Sequence, residues 1–100
     1  MNLSVLSTEY VRVPVSAKEA GTAVNPTSDT VVMAFPASNV DPISGDWKSA
    51  AWETAGTTYY ARCLVGPAGT ALAVGRYDVW VKITDSPEVP ARKAGFLDIT

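Results

Sequence analysis

The sequence has no histidine and a single cysteine, Cys63, among its 100 residues. The first absence removes the commonest general base, the commonest metal ligand and any Ser-His or Cys-His nucleophile pair. The second rules out an intrachain disulfide and puts a zinc site of the usual Cys/His kind out of reach. Charge is also sparse, at 18%, and the eight Lys and Arg residues are scattered through a chain of net charge −2. No basic run forms a footprint for phosphates, so nucleic acid is not an expected partner. Uncharged stretches such as Thr30 to Val40, which contains Pro36, are far too short to cross a membrane as a helix. The opening Met1-Asn2-Leu3-Ser4-Val5-Leu6-Ser7 lacks a basic region, a sustained apolar run and a cleavage site. No secretion signal is expected there, and the chain is expected to fold in a reducing cytosol.

What the chain has is apolar residues, 47% of the total, arranged with a period of two. Val11, Val13 and Val15 alternate with Arg12, Pro14 and Ser16, which predicts a half-buried strand from about Glu9 to Ala17. Pro14 cannot donate to a ladder, so this strand belongs at an edge or bulges. Lys18 to Asp29 is rich in turn residues and reads as loop, with a short strand at Thr22 to Val24. The continuous run Val31-Val32-Met33-Ala34-Phe35 suits a strand covered on both sides. After the turn cluster Asp41 to Asp46, the segment Trp47 to Glu53 reads as one strand, and Thr57 to Val65 as another. From Arg76 to Thr84, Tyr77, Val79, Val81 and Ile83 face one way and Asp78, Trp80, Lys82 and Thr84 the other. Asp85-Ser86-Pro87-Glu88 reads as a turn, and a last strand follows from about Ala91 to Thr100 with Leu97 and Ile99 inward. About seven short strands at ten-residue spacing predict an all-β, antiparallel sandwich. Met1 to Thr8 is expected to be an N-terminal arm outside the sandwich domain of residues 9–100, free to order on a neighbour.

Few residues carry chemistry. Cys63 sits mid-strand and reads as a small buried hydrophobe with a structural role. Asp41 and Asp46 flank a loop that superficially resembles a calcium loop, but such a loop needs oxygen ligands at alternate positions, and Pro42 and Ile43 interrupt that pattern. Solvated turn acids are the better reading, and no metal or cofactor is expected. The expectation is therefore not an enzyme. Binding, in contrast, has candidates. Trp47, Trp52, Tyr60, Trp80 and Phe96 are the candidate interface residues, since Trp and Tyr are enriched at binding hot spots. Trp80 lies among polar neighbours, where it either packs on a cross-strand residue or anchors a partner. Odd spacing sends Trp47 and Trp52 to opposite faces of one strand, and one of Tyr59 and Tyr60 must face outward. Tyr77, at the start of a late strand, reads as structural, placed as in a tyrosine corner whose hydroxyl bonds back to nearby backbone.

Three groups of segments carry a resemblance. Leu72 to Asp85, which contains Gly75-Arg76-Tyr77-Asp78-Val79-Trp80-Val81-Lys82-Ile83, together with Gly95-Phe96-Leu97-Asp98-Ile99-Thr100, resembles the C-terminal half of small phage immunoglobulin-like domains, among them the N-terminal domain of baseplate upper proteins. Gly21-Thr22-Ala23-Val24-Asn25-Pro26 and the run that starts at Val31 resemble the first core strands of the same family. Gly45-Asp46-Trp47, Trp52-Glu53 and Tyr60 to Pro67 are similar to short virion proteins of tailed phages that infect actinobacteria. The resemblance implies an immunoglobulin-like β-sandwich and a virion structural role, as a decoration or minor capsid subunit or a head–tail or tail component. It implies other virion proteins as partners (major capsid, portal-adjacent or tail proteins), a homo-oligomer on the particle, and assembly in the host cytoplasm. The alternative is a host-receptor or carbohydrate-binding tail module that stacks sugars on exposed tryptophans.

Overall fold

Two-residue periodicity becomes strand over most of the chain. The computed structural model describes residues 1–19, 22–84 and 89–100. They form ten strands and two single-turn 3-10 helices, with no α-helix among the described residues. The strands are β1 (Asn2–Leu3), β2 (Glu9–Val15), β3 (Ala17–Glu19), β4 (Thr22–Val24), β5 (Thr30–Ala34), β6 (Trp47–Ser49), β7 (Ala51–Ala55), β8 (Thr58–Val65), β9 (Gly75–Thr84) and β10 (Ala91–Ile99). A five-stranded sheet runs β1-β10-β9-β5-β6, and a three-stranded sheet runs β2-β8-β7. The two face each other as a β-sandwich, while β3 and β4 form a separate hairpin.

The interior is built by alternate residues of both sheets. Val11, Val13, Ala61, Cys63 and Val65 come from the three-stranded sheet, and Val31, Met33, Val79, Val81, Leu97 and Ile99 from the other. Pro14 lies on β2, an edge strand, where the missing N–H is tolerated. The run expected to be covered on both sides is β5. Val31 and Met33 point into the core, and Ala34 is fully buried on the outer face between Trp47 and Trp80.

Three expectations need correction. The described residues form ten strands rather than about seven, because β1 and β3 are short additions and the segment Trp47 to Glu53 is two strands, not one. Its break at Ala50 moves the chain from β5 in one sheet to β8 in the other. That switch turns Trp52 into the sandwich while Trp47 stays on an outer face. The strand expected at Thr22 to Val24 is β4, and the segment before it, expected to be loop, contributes β3, which pairs with β4 in antiparallel fashion. The turn expected at residues 85–88 lies outside the described residues.

The N-terminus also differs from the expected free arm. β1 pairs in parallel with β10, and the backbone N–H groups of Asp98, Thr100 and Val5 donate hydrogen bonds of 2.9 Å to the carbonyls of Met1, Leu3 and Thr100 respectively. Leu3 packs on the core, so the segment completes an edge of the larger sheet. The link into β2 then crosses to the other sheet over Gly66. This glycine has φ +132, and a Cβ there would lie 2.1 Å from the Ser7 carbonyl oxygen and 2.6 Å from Thr8 Cα. Only glycine fits both the dihedral and the close backbone approach.

Two outcomes follow. Removing Asn2 to Val5 is expected to lower the melting temperature by about 5 °C or more, because it strips an edge from β10. An unchanged transition would mean that these residues do not belong to the folded sheet. Gly66→Ala is expected to lower stability by at least about 2 kcal/mol in urea unfolding. An unshifted midpoint would contradict the packing of Ser7 and Thr8 on this position.

Candidate functional site

The two sheets leave two outer faces, and each carries its own set of side chains. On the five-stranded sheet the cross-strand register aligns Trp47, Ala34, Trp80 and Lys93 in one row. The next row holds Val32 with Lys82, whose Nζ stands 4.3 Å from the centroid of the Trp47 ring. A bulge between Lys93 and Gly95 resets the alternation of β10, so Lys93 and Phe96 share this face although three residues apart. Lys93 Nζ thereby comes within 3.4 Å of Asp78 Oδ2. Asp78 is only 4% exposed, and the same oxygen accepts the Asn39 N–H at 2.9 Å. Asn39 has φ 66, a conformation Asn tolerates better than most residues. That contact ties the start of the Ala37-to-Asp46 loop to the outer face. Arg76 forms a two-pronged pair with Asp98 and stacks 4.5 Å above Phe96.

The outer face of the three-stranded sheet is smaller and more polar. Alternation on β2 and β8 turns Tyr10, Arg12 and Pro14, and Tyr60, Arg62 and Leu64, away from the core. Glu53 on β7 accepts from Arg12 Nε and from Arg62 Nη1, both at 2.9 Å. The Arg62 guanidinium lies 4.5 Å from the Tyr10 ring centroid, and Arg62 Nε is buried without a hydrogen-bond partner among the described residues. The Arg12 hydrogen bond, with help from Arg62 and against an opposing effect of burial, holds the Glu53 carboxyl below the usual Glu value. Arg76 does the same for Asp98.

The candidate residues from the sequence thus separate. Trp47, Trp80 and Phe96 share the outer face of the larger sheet, and Tyr60 lies on the outer face of the smaller one. Trp52 packs against the core, and its indole N–H donates to the Asp29 carbonyl at 2.8 Å. The Trp80 indole N–H is buried without a hydrogen-bond partner among the described residues. Tyr77 packs on the core and its hydroxyl donates to the Ala73 carbonyl, four residues upstream, at 2.8 Å. Cys63 is buried, with Sγ 3.7 Å from the Ser49 carbonyl, and burial pushes its thiol upward. That environment disfavours thiolate chemistry. Among the described residues no three carboxylates or thiols gather around a common point. One shallow cleft, lined by Leu3, Val5, Val65, Leu72 and Ile99, has room for no more than a water molecule.

Sequence reasoning missed the Tyr10–Arg12–Arg62–Glu53 cluster. Its signal lies in the outward positions of β2 and β8, which alternation alone specifies. The buried Asp78 was missed too, because nothing in the local sequence announces that Asn39 will cap it. Comparison with known proteins found no matching family model, curated protein or solved structure.

Acid provides a test of the paired carboxylates. A carboxyl depressed in the folded state stabilises the fold above its unfolded pKa, and that stability is lost as pH falls through the folded value. Stability is therefore expected to decline below pH about 4, in the usual carboxylate range and beneath it. Glu53→Gln should remove part of that decline in unfolding measured across pH. An identical acid limb in the variant would mean that the Arg12–Glu53–Arg62 arrangement does not hold in solution.

Proposed function

We propose that this chain is an immunoglobulin-like, non-catalytic structural module of a bacteriophage particle, assembling through the outer surfaces of its sandwich. The fold part of the reading rests on one observation above others, the hydrogen bond from the Tyr77 hydroxyl to the Ala73 carbonyl at the entry to β9. This is the placement of a tyrosine corner. The strand order supports it. In immunoglobulin lettering, β2, β8 and β7 stand as B, E and D, and β10, β9, β5 and β6 as G, F, C and C′, with β3 and β4 inserted between B and C. The Trp packed against a B–F disulfide in antibody domains has no counterpart, since Cys63 falls on the E position.

The virion role draws on the sequence resemblance to phage immunoglobulin-like domains and short virion proteins. It is supported by outer faces patterned with aromatic and charged side chains, and by exposed apolar side chains such as Leu6, Val40, Ile43 and Val74 at the end of the sandwich where β9 begins. Sugar stacking is less favoured. Trp52 is turned inward, and Lys82 occupies the ring of Trp47 that a pyranose would need.

The test is a mass-spectrometric copy count in purified particles from a culture that produces this chain. The expected result is a fixed number of copies per particle, large for a shell subunit and small for a connector. Recovery of the chain only outside assembled particles would end the proposal.

A further inference from the structure

Two surfaces of this chain are complementary but cannot meet within one molecule. The first is the outer face of the three-stranded sheet. Its two guanidinium groups, Arg12 and Arg62, share the single carboxylate of Glu53, which leaves an excess of positive charge on a chain whose net charge is −2. Tyr10 lies beside them at 41% exposure. The second is the loop from Ala37 to Asp46, which leaves β5 of the opposite sheet at the end of the sandwich where β9 begins and is tied there by the Asn39–Asp78 contact. It carries Asp41 and Asp46, no Lys or Arg, and two of the most exposed aliphatic side chains, Val40 at 52% and Ile43 at 69%. Asp46 is turned back onto the Ile43 N–H, while Asp41 is exposed.

We infer that this loop of one copy docks on the three-stranded face of a second copy, with Asp41 meeting Arg12 and Ile43 covering Tyr10. The chemistry favours that occupant. Arg guanidinium is weakly hydrated, stacks on aromatic rings and takes carboxylates in two-pronged geometry. The loop offers a carboxylate and an aliphatic tip together. The inference rests on the assembly reading above and specifies its contact. Because donor and acceptor are different surfaces, carried by opposite sheets, the interface is head-to-tail. Each copy keeps one free loop and one free face, so the contact propagates into a ring or an open row. A single loop buries far less than a stable dimer interface, so each contact is weak and gains strength only through repetition.

The experiment is sedimentation velocity of the full chain over a wide concentration range at low ionic strength. The weight-average sedimentation coefficient is expected to rise with concentration and to fall back in high salt. Asp41→Lys and Arg12→Glu are each expected to weaken self-association about tenfold or more. An equimolar mixture of the two should restore association, because the reversed loop of one now fits the reversed face of the other. Melting temperatures check that both fold. Arg12→Ala, which brings no second carboxylate against Glu53, supplies the loss arm should Arg12→Glu fail to fold. A chain that stays monomeric throughout, association unmoved by either substitution, or a mixture that fails to recover would each overturn the contact. The copy count separates this from the broader reading: a chain present in particles yet monomeric in solution refutes the contact alone.

Discussion

Val11 and Val13 from one sheet and Val31, Met33, Val79, Val81 and Leu97 from the other share an interior that contains no disulfide. Burying such side chains contributes on the order of 2 kcal/mol each, against a net stability of about 5–15 kcal/mol for a whole domain. Loss of one or two of these contacts is therefore a large fraction of what holds the fold. The alternation that fills this interior also fixes register. A slip of one residue in β8 or β9 would send Cys63 or Val79 outward and Arg62 or Asp78 inward. Each outer face is therefore a consequence of the core. Arg12 and Arg62 face out together because Val11 and Cys63 face in together.

The outer faces differ in how they are finished. On the larger sheet, Trp47, Trp80 and Phe96 line the outer face, and the buried Asp78 carboxylate, beside Lys93, holds the start of the loop through the Asn39 N–H. On the smaller sheet, a three-member ion cluster lies on an open surface beside Tyr10. Exposed pairs of this kind add little to stability. Their significance is in what they present to a partner: oriented guanidinium groups beside an aromatic ring.

Much of this was legible in the sequence, and the reason is periodicity. β2 and β9 carry several alternating apolar positions and fall where alternation places them, while β5 and β8 follow from their apolar and β-rich composition and β10 from Leu97 and Ile99. Tyr77 was readable because its role depends on its position at the head of a strand. The switch at Ala50 was not readable. Trp47 to Glu53 has β composition throughout, and the decision to change sheets is made by what β5 and β8 offer as partners. The two residues of β1 are too short to show a period at all. The site was legible only in part: tryptophan flags itself by rarity, whereas Arg12, Arg62 and Glu53 come together from three strands. Phe96 and Lys93 share a face only through a bulge that no local pattern marks.

The central claim is that packing between the sheets makes them one cooperative unit. Native-state amide hydrogen exchange tests it most directly, with protection resolved residue by residue under increasing denaturant. The account predicts that the paired amides of β8 in the smaller sheet and of β9 and β10 in the larger converge on one unfolding free energy. Exchange of β8 at a markedly lower free energy than β9 would contradict it.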